Sequence, residues 1–146
     1  MVDVVVNSTE TLIIKSDVNE LAKVATITEE ICIRFGLIED EIDDISIAVT
    51  EAVNNAIKHG NKEDSTKSIK IVFEVETDRI KIRIKDEGKG FQLEEVKDPR
   101  KNENLLKDDG RGILIMKALM DEVKVLSGNE GNVIQLVKNI SRNGGK

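Results

Sequence analysis

Hydrophobic residues recur along the chain with two periods, one typical of β-strands and one typical of α-helices. Residues 69–77 and 79–86 alternate apolar and polar positions on either side of a turn near Asp78, which predicts a β-hairpin. Three further segments have the composition of strands: 11–16, 122–127 and 133–138. The pattern therefore predicts five short strands.

Helical spacing marks the segments between these strands. Residues 18–35 and 39–59 each place apolar side chains on one face and are each followed by a glycine that can end a helix, and Ser16 or Asp17 is placed to cap the first. Residues 113–120, ILIMKALM, are apolar almost all round, which predicts a buried helix. Helices combined with an antiparallel sheet indicate an α+β two-layer sandwich.

Composition narrows the class of protein. A chain of 146 residues is expected to form one domain, residues 1–146. A net charge of −6, without Trp or Tyr, argues against a nucleic-acid partner. No apolar run approaches the ~18 residues of a membrane span, so we expect a cytoplasmic protein without a membrane partner. Cys32 is the single cysteine, which excludes a disulfide framework and predicts a packed thiol.

Side chains of a strand alternate between its two faces, and this alternation places Asp86 on the inward face of the second hairpin strand. Its inward positions are Ile80, Ile82 and Ile84, and the next member of that series is Asp86. A buried carboxylate is costly unless hydrogen-bond donors surround it. Either protein donors or a ligand amino group can supply those hydrogen bonds, and the sequence leaves both alternatives open.

Two glycine pairs flank a segment with little periodicity. Gly88 and Gly90 follow Asp86 and allow a ligand to approach the main chain closely, while Gly110 and Gly112 open the predicted helix at 113–120. A helix N-terminus presents unpaired N–H groups and the positive end of the helix dipole, which suits phosphate. The intervening residues, about 91–109, are predicted to form a lid.

Three polar residues near the end of the second predicted helix are spaced four apart: Glu51, Asn55 and His59. This spacing places them on one stripe of an α-helix. A solvated Glu, a polar Asn and a His favoured by the helix dipole explain them without any chemistry. Alternatively, the Asn carbonyl can complete a magnesium shell and the Glu carboxylate can accept a proton.

Together these motifs resemble those of the histidine-kinase-like ATPase superfamily, whose fold is the Bergerat fold, a mostly antiparallel mixed sheet with helices on one face. The resemblance covers essentially the whole chain, and EAVNNAIKHG and GRGILIMKALMDEV are most similar to the anti-sigma-factor serine-protein kinases of bacteria. The motifs that carry it are Glu51-x-x-x-Asn55-x-x-x-His59, Asp86-x-Gly88-x-Gly90 and Gly110-x-Gly112.

The resemblance implies a role for each of these positions. Asp86 is expected to accept a hydrogen bond from the adenine 6-amino group, Asn55 to hold Mg²⁺ and Glu51 to act as general base. The lid and the turn from Gly110 to Gly112 are expected to bind the phosphates of ATP. The implied nucleotide-binding residues are Asn55, His59, Asp86, Gly88, Gly90, Lys107, Gly110, Arg111 and Gly112.

Two positions depart from the family pattern. Many of these kinases carry an arginine two residues before the first glycine of the second pair, where this chain has Asp108, and Arg111 or Lys107 is available as a substitute. The family commonly has Gly-Thr before the last strand, where this chain has Gly131-Asn132-Val133.

The resemblance implies an ATP-binding anti-sigma factor that phosphorylates an anti-anti-sigma protein on serine and sequesters a sigma factor, in a chain that can form a homodimer. Two alternatives stay open: a non-catalytic, ATP-dependent protein-binding switch, and the ATP-binding domain of a histidine-kinase-type regulator. Ile47, on the polar side of the second predicted helix, hints at a protein partner.

Overall fold

The structure is a computed structural model and describes residues 8–88, 110–128 and 131–141. Five strands form one sheet in the order β1-β2-β3-β5-β4, and each of the four strand pairs is antiparallel. The strands are β1 (Ser8–Lys15), β2 (Ser68–Val75), β3 (Arg79–Lys85), β4 (Glu122–Gly128) and β5 (Gly131–Asn139). The helices are α1 (Leu21–Arg34), α2 (Glu39–Asn55) and α3 (Gly110–Leu119). The predicted α+β two-layer fold is confirmed.

The sheet buries one face under the helices. In β2 the side chains at alternate positions from Ile69 to Val75 are buried, while Lys70 is exposed and Glu74 is half-buried on the other face. The register of the β2–β3 pair then aligns the isoleucines of β3 with them. The period-two alternation of the sequence therefore identified the inward face correctly.

The first helical segment begins and ends as the sequence predicts. Asp17 accepts a hydrogen bond from Asn19 N at 2.9 Å and caps a 3₁₀ turn, Val18–Glu20, that leads into α1. Gly36, with φ of +79°, ends the helix in the left-handed conformation that glycine adopts without strain. Of the two cap candidates, Asp17 rather than Ser16 is the cap.

The second predicted helix is corrected at its C-terminal end. The α-helix stops at Asn55, and the chain continues as one π-helical turn, Ala56–Gly60. The hydrogen bond from Asn61 N to Ala56 O, 2.8 Å long, closes this wider turn. Turns of this kind occur often at functional sites because they change the direction in which side chains project.

The third helix is less buried than its apolar sequence predicts. Met116 is fully buried, but the side chain of Leu114 is 57% exposed and that of Lys117 is exposed. The reason is the position of α3, which packs mainly on α2 and leaves its opposite side to solvent. Residues 91–109, the predicted lid, lie outside the described residues.

Candidate functional site

Asp86 directly follows β3, which is the central strand of the sheet, and is 4% exposed. The strand ends one residue earlier, at Lys85, but the main-chain pairing continues, because Asp86 N donates to Asn132 O at 3.0 Å. The carboxylate therefore keeps the inward parity of the isoleucines, as the sequence predicts.

Protein donors surround the Asp86 carboxylate unequally. Oδ1 accepts hydrogen bonds from Gly88 N at 2.8 Å and Asn132 N at 3.0 Å. The side-chain amide of Asn132 also donates, with Nδ2 at 3.3 Å from both Oδ1 and Oδ2. Within the part of the chain that the structure describes, Oδ2 has this one protein donor. A carboxylate oxygen accepts more than one hydrogen bond, so Oδ2 retains capacity for a ligand donor.

Glycine main chain packs directly against this carboxylate. A β-carbon at Gly60 would overlap Asp86 Oδ2, and one at Gly88 would overlap the carbonyl oxygen of Gly60. Gly131 has φ of +137°, which L side chains rarely adopt, and a β-carbon there would overlap the carbonyl oxygen of Asp86. The π-helical turn after α2, the chain after β3 and the start of β5 therefore meet at Asp86.

Asn61, the residue after the π-helical turn, connects that turn to the start of β2 and to the chain after β3. It is 1% exposed, donates from Nδ2 to Ser68 O at 3.0 Å and accepts from Glu87 N at 2.7 Å. Glu87 in turn accepts from the main-chain N–H and the hydroxyl of Ser68, and these hydrogen bonds lower the pKa of the exposed Glu87 carboxyl. The two segments are thereby fixed beside Asp86.

Sequence reasoning missed two residues of this site, Asn61 and Asn132, as structural partners. One signal was available: each follows a glycine, Gly60 and Gly131, that packs against Asp86. An Asn directly after a glycine is ordinarily explained as a turn residue, which is why the sequence alone does not reveal the partnership.

Glu51 lies over the first turn of α3. A β-carbon at Gly112 would lie 3.0 Å from Glu51 Oε1, so the carboxylate contacts the main chain there. At the other end of the helix pair, Lys138 Nζ donates to Leu119 O at 2.6 Å and pairs with Asp44 Oδ2 at 3.1 Å. These two points show that α2 and α3 run antiparallel and place the start of α3 beside Glu51.

Asn55 and His59 continue from Glu51 towards Asp86, but not on one α-helical stripe. Asn55 is the last residue of α2, whereas His59 lies in the π-helical turn, where each turn contains more residues than in an α-helix. The four-residue spacing therefore does not keep His59 in line with Asn55. All three side chains are half-buried.

The remaining predicted residues divide by location. Gly110 is the first residue of α3, Arg111 is exposed beside it and Gly112 is buried. Gly90 and Lys107 lie outside the described residues.

In the described part of the chain there is no group of three or more His, Cys, Asp or Glu residues arranged to hold a metal ion. No helix in that part is long and apolar enough to cross a membrane.

The candidate site thus has two ends, which lie along α2 and the π-helical turn that follows it. Glu51 and Gly112 form one end, and Asp86 with Gly60 and Gly88 forms the other. The nine helical steps from Glu51 to Gly60 correspond to roughly 13 Å at the α-helical rise. The arrangement presents a carboxylate and a helix N-terminus at one end and a buried acceptor at the other.

Solved structures support this fold. One covers the RsbU and RsbW domains of a Mycobacterium tuberculosis protein, and it matches 93% of this chain with a TM-score of 0.70 at 22% identity. This chain spans 33% of that protein chain. The histidine kinase domain of a blue-light-activated histidine kinase from Erythrobacter litoralis matches 84% of this chain and 60% of its own, with a TM-score of 0.54 at 14% identity.

Comparisons of the sequence with known proteins identify the family of this chain. The serine-protein kinase RsbW of Staphylococcus aureus strain MSSA476 is 41% identical over 116 residues, which cover 75% of this chain and 72% of the relative. The same kinase from strain JH9 is 40% identical over the same length. The family model of the histidine kinase-like ATPase domain matches residues 14–138. Because that match spans the sheet, the helices α1, α2 and α3 and the site described above, the chain belongs to the histidine kinase-like ATPase family.

Proposed function

We propose that this protein is an ATP-dependent serine-protein kinase that phosphorylates an anti-anti-sigma protein and, as an anti-sigma factor, sequesters a sigma factor. The observation that carries the proposal is the contact of the Glu51 carboxylate with the first turn of α3, which brings a proton acceptor to a helix N-terminus suited to phosphate. The similarity to the RsbW serine-protein kinases supports the reaction class.

The adenine of ATP fits the Asp86 end of the site. Oδ2 has acceptor capacity left, while Oδ1 is held by main-chain donors, so an exocyclic amino group can complete the hydrogen bonds of the carboxylate. At Gly60 and Gly88 main chain rather than side chain packs beside this carboxylate, and glycine allows a flat ring to approach the main chain closely. These features support an adenine site here.

The triphosphate and Mg²⁺ fit the other end. Gly112 has only main-chain atoms to present, and the N–H groups of the first turn of α3 are available as phosphate donors. Mg²⁺ commonly keeps several waters and takes its remaining ligands from phosphate oxygens and one or two protein oxygens. A single protein oxygen from Asn55, completed by waters and phosphate oxygens, agrees with that donor set.

We assign the proton transfer of the reaction to Glu51. As the substrate serine oxygen bonds to the γ-phosphorus of ATP, the bond from that phosphorus to the β–γ bridging oxygen breaks. The Glu51 carboxylate accepts the serine hydroxyl proton, and the products are phosphoserine and ADP. Such a base contributes mainly to the transition state, whereas Asn55 contributes already in the bound ground state.

Phosphoryl transfer to a purified anti-anti-sigma protein tests the proposal. With labelled ATP and magnesium, we expect phosphate on a serine of that protein. Glu51→Gln should lower the transfer rate about 10²–10⁴-fold with ATP affinity nearly unchanged, and Asn55→Ala should weaken both. Asp43→Asn, an exposed change on the same helix, is the matched control and should behave as wild type.

Two outcomes contradict the proposal in different ways. If the wild-type protein binds the partner only with ATP yet transfers no phosphate, the protein is a nucleotide-dependent binding switch. If Glu51→Gln transfers phosphate at the wild-type rate, Glu51 is not the base. The homodimer predicted from the resemblance is a separate question for sedimentation analysis.

A further inference from the structure

Asn132 occupies the position where the family pattern commonly has threonine, and its side chain faces Asp86 rather than solvent. It is 5% exposed, and its Nδ2 lies 3.3 Å from each carboxylate oxygen of Asp86. Its main-chain N–H donates to Oδ1, and its carbonyl accepts from Asp86 N. Asn132 therefore contacts Asp86 through main chain and side chain together.

Chemistry fixes the orientation of the Asn132 amide. Turned the other way, the amide would place its carbonyl oxygen against two carboxylate oxygens, and three acceptors would face one another. With Nδ2 towards Asp86, one amide group bridges both oxygens of a charged carboxylate, and such charge-assisted hydrogen bonds are stronger than neutral ones. The bridge opposes rotation of the carboxylate about its Cβ–Cγ bond.

The geometry points to Asn132 as a positioning residue that sets base selectivity: we propose that its amide holds the Asp86 carboxylate so that Oδ2 reads the substituent at C6 of a purine. This inference rests on the proposed ATP binding and adds the residue that determines which purine is bound. Asn132 acts through Asp86 and is therefore not itself a catalytic residue.

The substituent at C6 is what distinguishes the purines at this position. Adenine carries an amino group there, which donates to Oδ2, whereas guanine carries a carbonyl oxygen, which would face the carboxylate oxygen as a second acceptor. Without the amide bridge the carboxylate is held only at Oδ1, by the main-chain N–H groups of Gly88 and Asn132, and Oδ2 can turn away from either base. When the Asn132 amide holds the Asp86 carboxylate in place, the hydrogen bond to the adenine amino group is stronger and the repulsion between Oδ2 and the guanine carbonyl oxygen is maintained.

Calorimetry with magnesium and three nucleotides tests this, without any protein substrate. The nucleotides are ATP, GTP and purine riboside triphosphate, which has hydrogen at C6. We expect wild-type protein to bind ATP at least about ten-fold more tightly than the C6-hydrogen analogue, the value of one charge-assisted hydrogen bond. Asn132→Ala should lower ATP affinity by about ten-fold and leave the affinity for the analogue nearly unchanged. The preference for ATP over GTP should shrink in the same variant.

Two further variants keep the test decisive. Asn139→Ala, an exposed asparagine on the same strand, is the matched control and should leave all three affinities unchanged. Asn132→Thr is a milder change in a strand and retains one donor, so the ratio of ATP to analogue affinity should fall less than in Asn132→Ala. It serves as the test if the alanine variant does not fold.

The outcomes separate this inference from the function on which it rests. A wild-type protein that binds none of the three nucleotides overturns the proposed ATP binding itself. If wild type binds ATP but discriminates poorly against the C6-hydrogen analogue, Oδ2 does not read C6. If Asn132→Ala weakens ATP and the analogue equally, or if the ratio is unchanged in every folded Asn132 variant, the role of Asn132 is only structural.

Discussion

The Asp86 carboxylate shows how strongly one residue can constrain its neighbours. Its Oδ1 is held by two main-chain N–H groups, and its Oδ2 occupies the space that a β-carbon at Gly60 would need. A side chain that is fixed by so many donors cannot move aside cheaply, because any movement leaves a buried charge with fewer hydrogen bonds. The absence of a side chain at Gly60 is thus part of the site.

Gly60→Ala tests this constraint at the scale of a single methyl group. The new β-carbon overlaps Asp86 Oδ2, so we expect a loss of about 1–3 kcal/mol in the free energy of unfolding, typical of overpacking. Displacement of the carboxylate should also lower ATP affinity at least about ten-fold. Urea unfolding and calorimetry measure the two effects.

Gly128→Ala is the matched control for that substitution. A β-carbon at Gly128 would lie 3.7 Å from Gly131 O, which is an ordinary van der Waals contact. Both stability and ATP affinity should therefore stay close to the wild-type values. Gly60→Ala with unchanged ATP affinity would show that the Asp86 carboxylate is not held as tightly as its hydrogen bonds indicate.

At the scale of elements, α2 organises the site because it contacts α1 and α3 and leads into the turn at Asp86. Its pairing with α3 is fixed at one end by Lys138, which reaches from β5 to Leu119 O and Asp44 Oδ2. The Lys138 side chain is 17% exposed, so its ammonium group is partly shielded from water. This cation also satisfies a carbonyl at the C-terminal end of α3.

Lys138→Met should therefore weaken the packing of α3 on α2. The methionine keeps most of the apolar stem but loses both polar contacts, and we expect a loss of about 1–2 kcal/mol in the free energy of unfolding. Lys124→Met is the control, because the 3.5 Å pair of Lys124 with Glu122 is exposed and should contribute little. Equal urea midpoints for the two variants would show that Lys138 does not stabilise the packing of α3 on α2.

At the scale of the whole molecule, the helical layer and the sheet close over one continuous core that contains the single thiol. Cys32 is fully buried, and burial, together with the nearby carboxylates of Glu29 and Glu41, raises the pKa of its thiol to about 12. The predicted packed thiol is confirmed. Since the thiolate is the reactive form, Cys32 is protected both by the core and by its protonation state.

Thiol labelling then reports on opening of the folded molecule. At pH 8 we expect an aromatic disulfide reagent to leave native Cys32 unreacted over minutes and to modify it at once in guanidinium chloride. Saturating ATP should slow the native reaction further, because a ligand of the folded state lowers the open population. Rapid native labelling that ATP does not slow would indicate local rather than global access.

The same thiol makes stability depend on alkaline pH. Its folded pKa is raised from the ordinary value of 9.0 to about 12. The stabilising contribution is therefore fully present below about pH 9 and is lost as pH rises from 9 towards 12, where only the unfolded state ionises readily. Cys32→Ala removes this particular dependence.

The local pattern by itself predicted the five strands, the positions of the three helices apart from the C-terminal end of the second, and the inward orientation of Asp86. Strand geometry makes side chains alternate between two faces, and this alternation extends one residue beyond β3 to Asp86. The inward direction of its carboxylate could therefore be predicted without a structure. The family resemblance likewise rested on short motifs, and the family membership is confirmed. Glu51 and Asp86 were both selected as site residues from such spacing, and their roles stay predictions.

Only the tertiary structure decided how the carboxylates are held. Asn132 is 46 residues from Asp86 along the chain, and their contact exists because β5 pairs with β3 in one particular register. The π-helical turn after Asn55 and the exposed side of α3 likewise depend on what packs against each helix. Local pattern specifies which face a residue occupies, but contacts between distant segments follow from sheet register and helix packing, which no short window of sequence contains.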